Sequence, residues 1–142
     1  AQLEEYPVSQ IPDFDDFDSD ILGSWYYSPR IMPSCFADIN ARKGYVRLRG
    51  QESRTSLNKV SILARKLTST YATVTTKMEY IPEMPHQSAG LIFTMIIMNY
   101  INLRKYYSET LDKARCRLYI LKTAKKRRCL IHVWQLRMSL YI

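Results

Sequence analysis

Five aspartates crowd into the eight residues from Asp13 to Asp20, with Phe14 and Phe17 set between them. Hard cations such as calcium require several convergent oxygens, so this segment is the first place to look for a metal loop. An EF-hand loop also needs a glycine at its sharp bend and a distal glutamate, and this spacing supplies neither. The segment reads instead as a first edge strand, anchored by Phe14 and Phe17 with solvated acids between. Cys129-x-x-His132 has half of a zinc spacing, but no second pair exists to complete it. The three cysteines (Cys35, Cys116 and Cys129) contain no C-x-x-C pair. An odd count without regular spacing gives no disulfide framework and fits a reducing compartment. His86 lies in a loop beside Pro85 and His132 in the C-terminal segment, neither with a partner at a catalytic spacing. Gly-rich phosphate loops, G-x-S-x-G elbows and H-E-x-x-H pairs are all missing. These readings call for no metal and no cofactor.

Aromatic residues offer a different chemistry. Trp25, Tyr26 and Tyr27 are consecutive, and such rings stack on sugar faces when they are exposed and coplanar. In strands, aromatic rings more often fill a core. A planar exposed trio would mark an independent carbohydrate-binding module; buried rings would mark a scaffold.

Charge is distributed unevenly. The chain carries 21 Lys or Arg against 13 Asp or Glu, a net charge of +8. Lys113–Ile142 holds nine of the bases and no acid, leaving 12 bases and 13 acids before it, a net −1. Residues 1–20 hold seven acids and no base. Lys122, Lys125, Lys126, Arg127 and Arg128 would attract phosphates by counterion release. With the excess confined to the end of the chain, a basic binding face for nucleic acid or an anionic surface is disfavoured against a solvated tail.

The elements that must position these residues are short. A chain of 142 residues buries one core, and 46% hydrophobic with 24% charged is ordinary for a globular domain. Eleven tyrosines, many β-branched residues and four glycines favour strands. Residues 1–12 read as a linker broken by Pro7 and Pro12. Ile21–Arg30 contains Trp25-Tyr26-Tyr27, after which Pro29 and Pro33 punctuate a loop. Strands are expected at Gly44–Gly50, Val60–Lys66, Thr70–Ile81, Ala89–Phe93 and Asn99–Tyr107, with loops at Gln51–Asn58 and Pro82–His86. Thr70–Ile81 alternates most regularly. Antiparallel strands between frequent turns, without a capped helical period, predict a two-sheet sandwich over 13–142. The longest apolar run, Leu91–Ile101, is too short to span a bilayer as a helix, and no secretory signal is visible, so a cytoplasmic location is expected.

Several motifs then occur in one order: Asp15-Asp16-Phe17-Asp18, Leu22-Gly23, Trp25, Gly44-Tyr45-Val46-Arg47-Leu48-Arg49-Gly50, Ser56-Leu57-Asn58, Leu63-Ala64-Arg65-Lys66, Ala89-Gly90-Leu91 and Asn99-Tyr100. From Asp15 to Tyr107 the chain resembles the C-terminal module of family-43 β-xylosidases. The resemblance implies an all-β, concanavalin-like sandwich of the jelly-roll type. It implies a partner, a catalytic five-bladed propeller in the same or a separate chain, and an oligomer in many such enzymes. Xylo-oligosaccharide would be met only through the whole enzyme. The propeller supplies the catalytic carboxylates there, and no segment here matches its motifs, so no catalytic residue is assigned. Trp25, Tyr26 and Tyr27 are the candidate sugar contacts.

Two segments depart from the family pattern. Thr94-Met95-Ile96-Ile97-Met98 stands where aromatic and polar residues are expected, and a one-base slip in a codon string for Tyr-Tyr-Asp-Asn-Met produces it. The acid-free stretch 113–142 yields an acidic, strand-like reading of Val133–Ile142 in another frame. Both are expected to be frame slips, leaving the sandwich incomplete at its C-terminal end.

Overall fold

The computed structural model describes residues 10–69, 72–96, 99–121 and 137–141. Among these residues there is no α-helix, only nine strands and two single 3₁₀ turns. The chain divides into two compact units, Ala1–Lys66 and Leu67–Ile142.

The first unit is held by short ladders. Strand β1 (Tyr26–Tyr27) pairs antiparallel with β4 (Ala64–Arg65), placing Tyr26 opposite Arg65. Strand β2 (Ala37–Asp38) pairs antiparallel with β3 (Arg47–Leu48). The Arg49 amide extends this second ladder by donating to the Phe36 carbonyl at 2.8 Å. Proline explains part of the brevity: Pro29 and Pro33 lack the N–H that a longer ladder requires. Pro33–Cys35 forms a 3₁₀ turn, closed by Phe36 N–H to Pro33 O at 3.1 Å. Phe36 and Val60, each 3% exposed, are the buried apolar residues of this unit among those described. The strands expected over Gly44–Gly50 and Val60–Lys66 are thus paired only at Arg47–Leu48 and Ala64–Arg65.

The edge strand expected at Asp13–Asp20 does not form. Asp15 Oδ1 accepts the Phe17 amide at 2.9 Å, and Asp16 Oδ1 accepts the Asp18 amide at 3.2 Å. These Asx-type bonds offer the backbone an alternative to a ladder, and Phe17 is turned to φ 55°. Gly44, at φ 77°, donates its N–H to Phe17 O at 3.3 Å, so the kinked segment is pinned by a residue free to adopt that angle. Phe14 anchors nothing, being 78% exposed. The expected loop at Gln51–Asn58 is present: Glu52 accepts from the Ser56 hydroxyl and from the Lys59 amide at 3.4 Å. Those bonds, the serine first, hold the Glu52 carboxyl below the usual range.

The second unit contains a regular meander. Strand β6 (Ser88–Ile96) pairs antiparallel with β7 (Asn99–Ser108), which pairs antiparallel with β8 (Lys113–Leu121). Period-2 alternation sorts most of its residues, with exceptions such as Lys105 on the otherwise apolar face and Ile92 on the otherwise polar one. Ala89, Leu91 and Phe93 share one face with Ile101, Leu103, Leu118 and Ile120. The opposite face presents Gly90, Asn102, Arg104, Tyr106, Arg117 and Tyr119. Ile101, 9% exposed, is the most buried of the meander among the described residues, opposite both Phe93 and Ile120. Glu109–Leu111 makes the β7–β8 turn, and Asp112 closes it in the left-handed region at φ 49°. The Tyr107 hydroxyl donates to Asp112 Oδ1 across that turn. Asp tolerates this conformation better than most residues.

Strand β5 (Thr73–Lys77) realises the strongest part of the alternation at Thr70–Ile81. Its partner is β9 (Arg137–Tyr141), in parallel. A parallel pair departs from the purely antiparallel pairing expected and needs a long connection between its strands, which these two have. The two segments expected to be frame slips both contribute residues to paired strands. The ladder slips between Thr94↔Tyr100 and Ile96↔Asn99, a bulge inside the first of them. In the second, Lys113–Leu121 is regular strand in continuous register. Residues 97, 98, 122–136 and 142 lie outside the described residues, and with them Cys129, His132 and the basic cluster Lys122–Arg128.

Candidate functional site

The consecutive Trp25, Tyr26 and Tyr27 sit at the start of β1, where alternation must send neighbours to opposite sides. Tyr26 is half-buried and stacks on Phe17, ring centroids 5.8 Å apart at 29°. Trp25 is half-buried and lies 6.3 Å from Tyr26, with the two planes at 43°. Its indole lies over Gly23, where a Cβ would overlap the ring and stand 2.9 Å from Cδ2. Tyr27 is 51% exposed. The three rings therefore share no plane: two pack against their own unit and one faces solvent. Burial, then the charge and hydrogen bonding of Asp15, hold the Tyr26 hydroxyl above the ordinary tyrosine range, while Arg65 opposes them.

An open groove of about 230 Å3 runs beside Trp25, bounded by Phe14, Asp15, Asp16 and Ile21. Aromatic and carboxylate neighbours of this kind suit a sugar, but each carboxylate already serves a backbone amide. No group of three His, Cys, Asp or Glu residues suited to a metal occurs among the described residues. Cys35 and Cys116 are free, exposed thiols. His86 is exposed in its loop.

A second cluster, which the sequence reading passed over, lies on the polar face of the meander. Arg104 and Arg117 are directly opposite one another across β7 and β8. The Arg104 guanidinium stands 4.4 Å from the Tyr119 ring centroid and 5.5 Å from Tyr106. That of Arg117 stands 5.6 Å from Tyr119 and 5.8 Å from Tyr106. All four distances fall in the cation–π range. Arg117 Nη1 also donates to the Tyr119 hydroxyl at 3.4 Å. Hydrogen bonding from Arg104, then from Arg117, holds the Tyr119 phenol below the ordinary tyrosine range. The β8 half of this cluster was legible as Lys113, Arg115, Arg117 and Tyr119 at every second position; its meeting with Arg104 and Tyr106 depends on the β7–β8 register.

These shifts predict an ordered alkaline titration. Tyr119 should ionise first, below the ordinary tyrosine value of about 10, because cations stabilise its phenolate. Tyr26, Tyr80 and Tyr107 should ionise later than the ordinary value, Tyr26 and Tyr80 through burial and Tyr107 through its bond to Asp112. Their raised values favour the neutral form in the fold. Their contribution to stability is full below about pH 10 and fades as the pH climbs past the raised values. Ultraviolet tyrosinate absorbance will follow this, and Tyr119→Phe should delete the earliest phase. Survival of that phase in the variant would show the assignment to be wrong.

Comparison with known proteins places these features in a family. The family described as the beta-xylosidase C-terminal concanavalin A-like domain matches residues 14–132. That span runs beyond Tyr107, where the resemblance read from the motifs ends, and takes in all of β8. Among solved structures, a xylan beta-1,4-xylosidase from Bacillus halodurans C-125 is similar at 28% identity, with a TM-score of 0.71. The similarity covers 86% of this chain and 23% of that one, so the chain spans under a quarter of that protein. No curated protein sequence matches the chain. The all-β order, the absence of helix among the described residues and a family match over most of the length agree: the chain belongs to the C-terminal concanavalin A-like sandwich domains of family-43 β-xylosidases.

Proposed function

We propose that the chain is the accessory β-sandwich module of a β-xylosidase-type glycoside hydrolase acting on xylo-oligosaccharides. In this reading it supports a five-bladed catalytic propeller and the substrate pocket, and it is not catalytic alone. The single observation behind the proposal is the family match over residues 14–132.

The chemistry of the described residues agrees. Glycoside hydrolysis in most families needs two carboxyl groups flanking the scissile bond, one as acid and one as base or nucleophile. Asp15 and Asp16 are the carboxylates beside the groove, and both serve as acceptors for the local turn. A carboxylate committed to a backbone amide is poorly placed to exchange protons with a substrate. The module instead offers a framework whose stability comes from sheet pairing and whose polar meander face is left for contact.

Two measurements test this. Pure chain should show no turnover of aryl xylosides. Mixed with a β-xylosidase propeller expressed without its own sandwich, it should co-elute and raise the melting temperature of the propeller. Turnover by the pure chain that disappears with Asp15→Asn or Asp16→Asn would reverse the non-catalytic reading. Separate elution under all conditions would remove the accessory one.

A further inference from the structure

The polar face of the β6–β7–β8 meander carries an arrangement that folding alone does not favour. Arg104 and Arg117 are direct cross-strand partners, and like charges so placed destabilise an antiparallel pair. Lys113 and Arg115 continue the same face along β8, and none of its positions on the three strands is Asp or Glu. The Arg104 Nε is buried without an acceptor. Gly90 lies directly across from Arg104 on β6 and adds no side chain to the face. Four cations thus stand on one face with no acid beside them, and the two central guanidiniums are held against tyrosine rings.

We infer that this face is a binding site for a carboxylate-bearing saccharide, with Arg104 and Arg117 gripping the carboxylate and Tyr106 and Tyr119 stacking on the sugar rings. The inference rests on the accessory-module reading, which supplies the saccharide; the charge of the face supplies the acid. A planar guanidinium matches a carboxylate with two parallel hydrogen bonds, which an ammonium does not reproduce. A bound anion also removes the repulsion between the opposed arginines and offers acceptors to donors that lack them. Tyrosine rings present flat apolar area beside those donors, and a pyranose presents a matching C–H face. A neutral xylo-oligosaccharide would satisfy the rings and leave the arginines opposed. The face selects for the acidic branch.

Calorimetric titration of the full chain decides the matter, using a xylo-oligosaccharide with one hexuronate branch, the unbranched oligosaccharide, free hexuronate and a single-stranded oligothymidylate. The branched ligand should bind with an affinity that falls as salt rises. The unbranched ligand should bind at least about tenfold more weakly, the range for losing one charge-assisted hydrogen-bonded pair. Arg104→Gln and Arg117→Gln should each lose a similar factor while melting no lower than the parent, since each relieves a like-charge pair. Should either variant fold poorly, Arg117→Lys keeps the charge, and its loss of affinity reads the guanidinium fork alone. Equal binding of branched and unbranched ligands, equal or tighter binding of the oligothymidylate, or no binding of the branched ligand overturns the inference. Co-elution of Arg104→Gln/Arg117→Gln with the propeller separates the two readings. Retained association with no difference between ligands sinks this inference alone, and lost association in the parent sinks the accessory role.

Discussion

Gly90→Ala should cost about 3 kcal/mol or more, at the upper end of what overpacking does to a folded chain. Gly90 occupies the middle of β6, opposite Arg104 on β7. A Cβ built there overlaps the Leu103 carbonyl oxygen and lies 2.7 Å from Arg104 Cα and 3.0 Å from Leu103 C. Every one of these neighbours is backbone, so no side chain can rotate away. Relief requires β6 and β7 to part, and the ladder bonds on either side would lengthen or break with them. The same substitution at Gly50 provides the control. Nothing lies within 4 Å of a Cβ there, and its backbone is not in the left-handed region. Gly50→Ala should be neutral or gain a few tenths of a kcal/mol through the unfolded chain. Urea melts of the two variants beside the parent will check both. Equal midpoints for Gly90→Ala and Gly50→Ala would show that β6 has room the geometry denies.

The class of the fold was legible in the sequence for a physical reason. Period-2 alternation marks a strand wherever one face is apolar, and Ala89–Phe93 and Asn99–Tyr107 are strands almost where the pattern puts them. Asp13–Asp20 looks like a strand because two aromatics set among acids resemble strand anchors, although Phe14 and Phe17, three residues apart, would point to opposite faces of one. The deciding event is local: Asp15 and Asp16 capture the amides two residues on, and a ladder cannot compete. β8 was missed for the opposite reason. Its alternation of Lys113, Arg115, Arg117 and Tyr119 against Ala114, Cys116, Leu118 and Ile120 is as regular as that of any strand here. The lack of acids drew attention to charge and away from period. The site followed the same course. Trp25, Tyr26 and Tyr27 stand out because they are consecutive, yet consecutive strand residues diverge by construction. Arg104, Tyr106, Arg117 and Tyr119 lie far apart in the chain and meet only through the β7–β8 register. No spacing rule applied to one strand alone would have found them.

Phe36→Ala should be the most damaging substitution in the first unit, at about 3–5 kcal/mol. Phe36 is 3% exposed, and Val60 is the other buried apolar residue described in that unit. Its backbone is fixed at both ends: its amide closes the Pro33–Cys35 turn, and its carbonyl accepts from Arg49. The backbone of residue 36 is therefore held by two hydrogen bonds that the substitution leaves in place, so residue 36 itself cannot shift to fill the space. A cavity that cannot collapse costs the upper part of the range. Phe36→Leu, which refills most of the volume, should cost less than about 1.5 kcal/mol. Phe14→Ala, at a residue 78% exposed, should fall within about 0.5 kcal/mol of the parent. Total stabilities of about 5–15 kcal/mol leave little margin for the first of these. The pair Phe36→Ala and Gly90→Ala then tests more than two sites, because they fall in different compact units. If the chain unfolds as one cooperative domain, each variant lowers a single common midpoint, and their effects add when combined. If the units unfold separately, each variant shifts only one of two transitions. Fluorescence of Trp25, read in a Trp134→Phe background because the chain has a second tryptophan, against far-ultraviolet circular dichroism separates the cases, since Trp25 belongs to the first unit and the dichroism reports on all strands. A Phe36→Ala chain that melts like the parent by both probes would mean that the ring buries too little to hold the unit, and that β-ladder bonds and turns carry its stability.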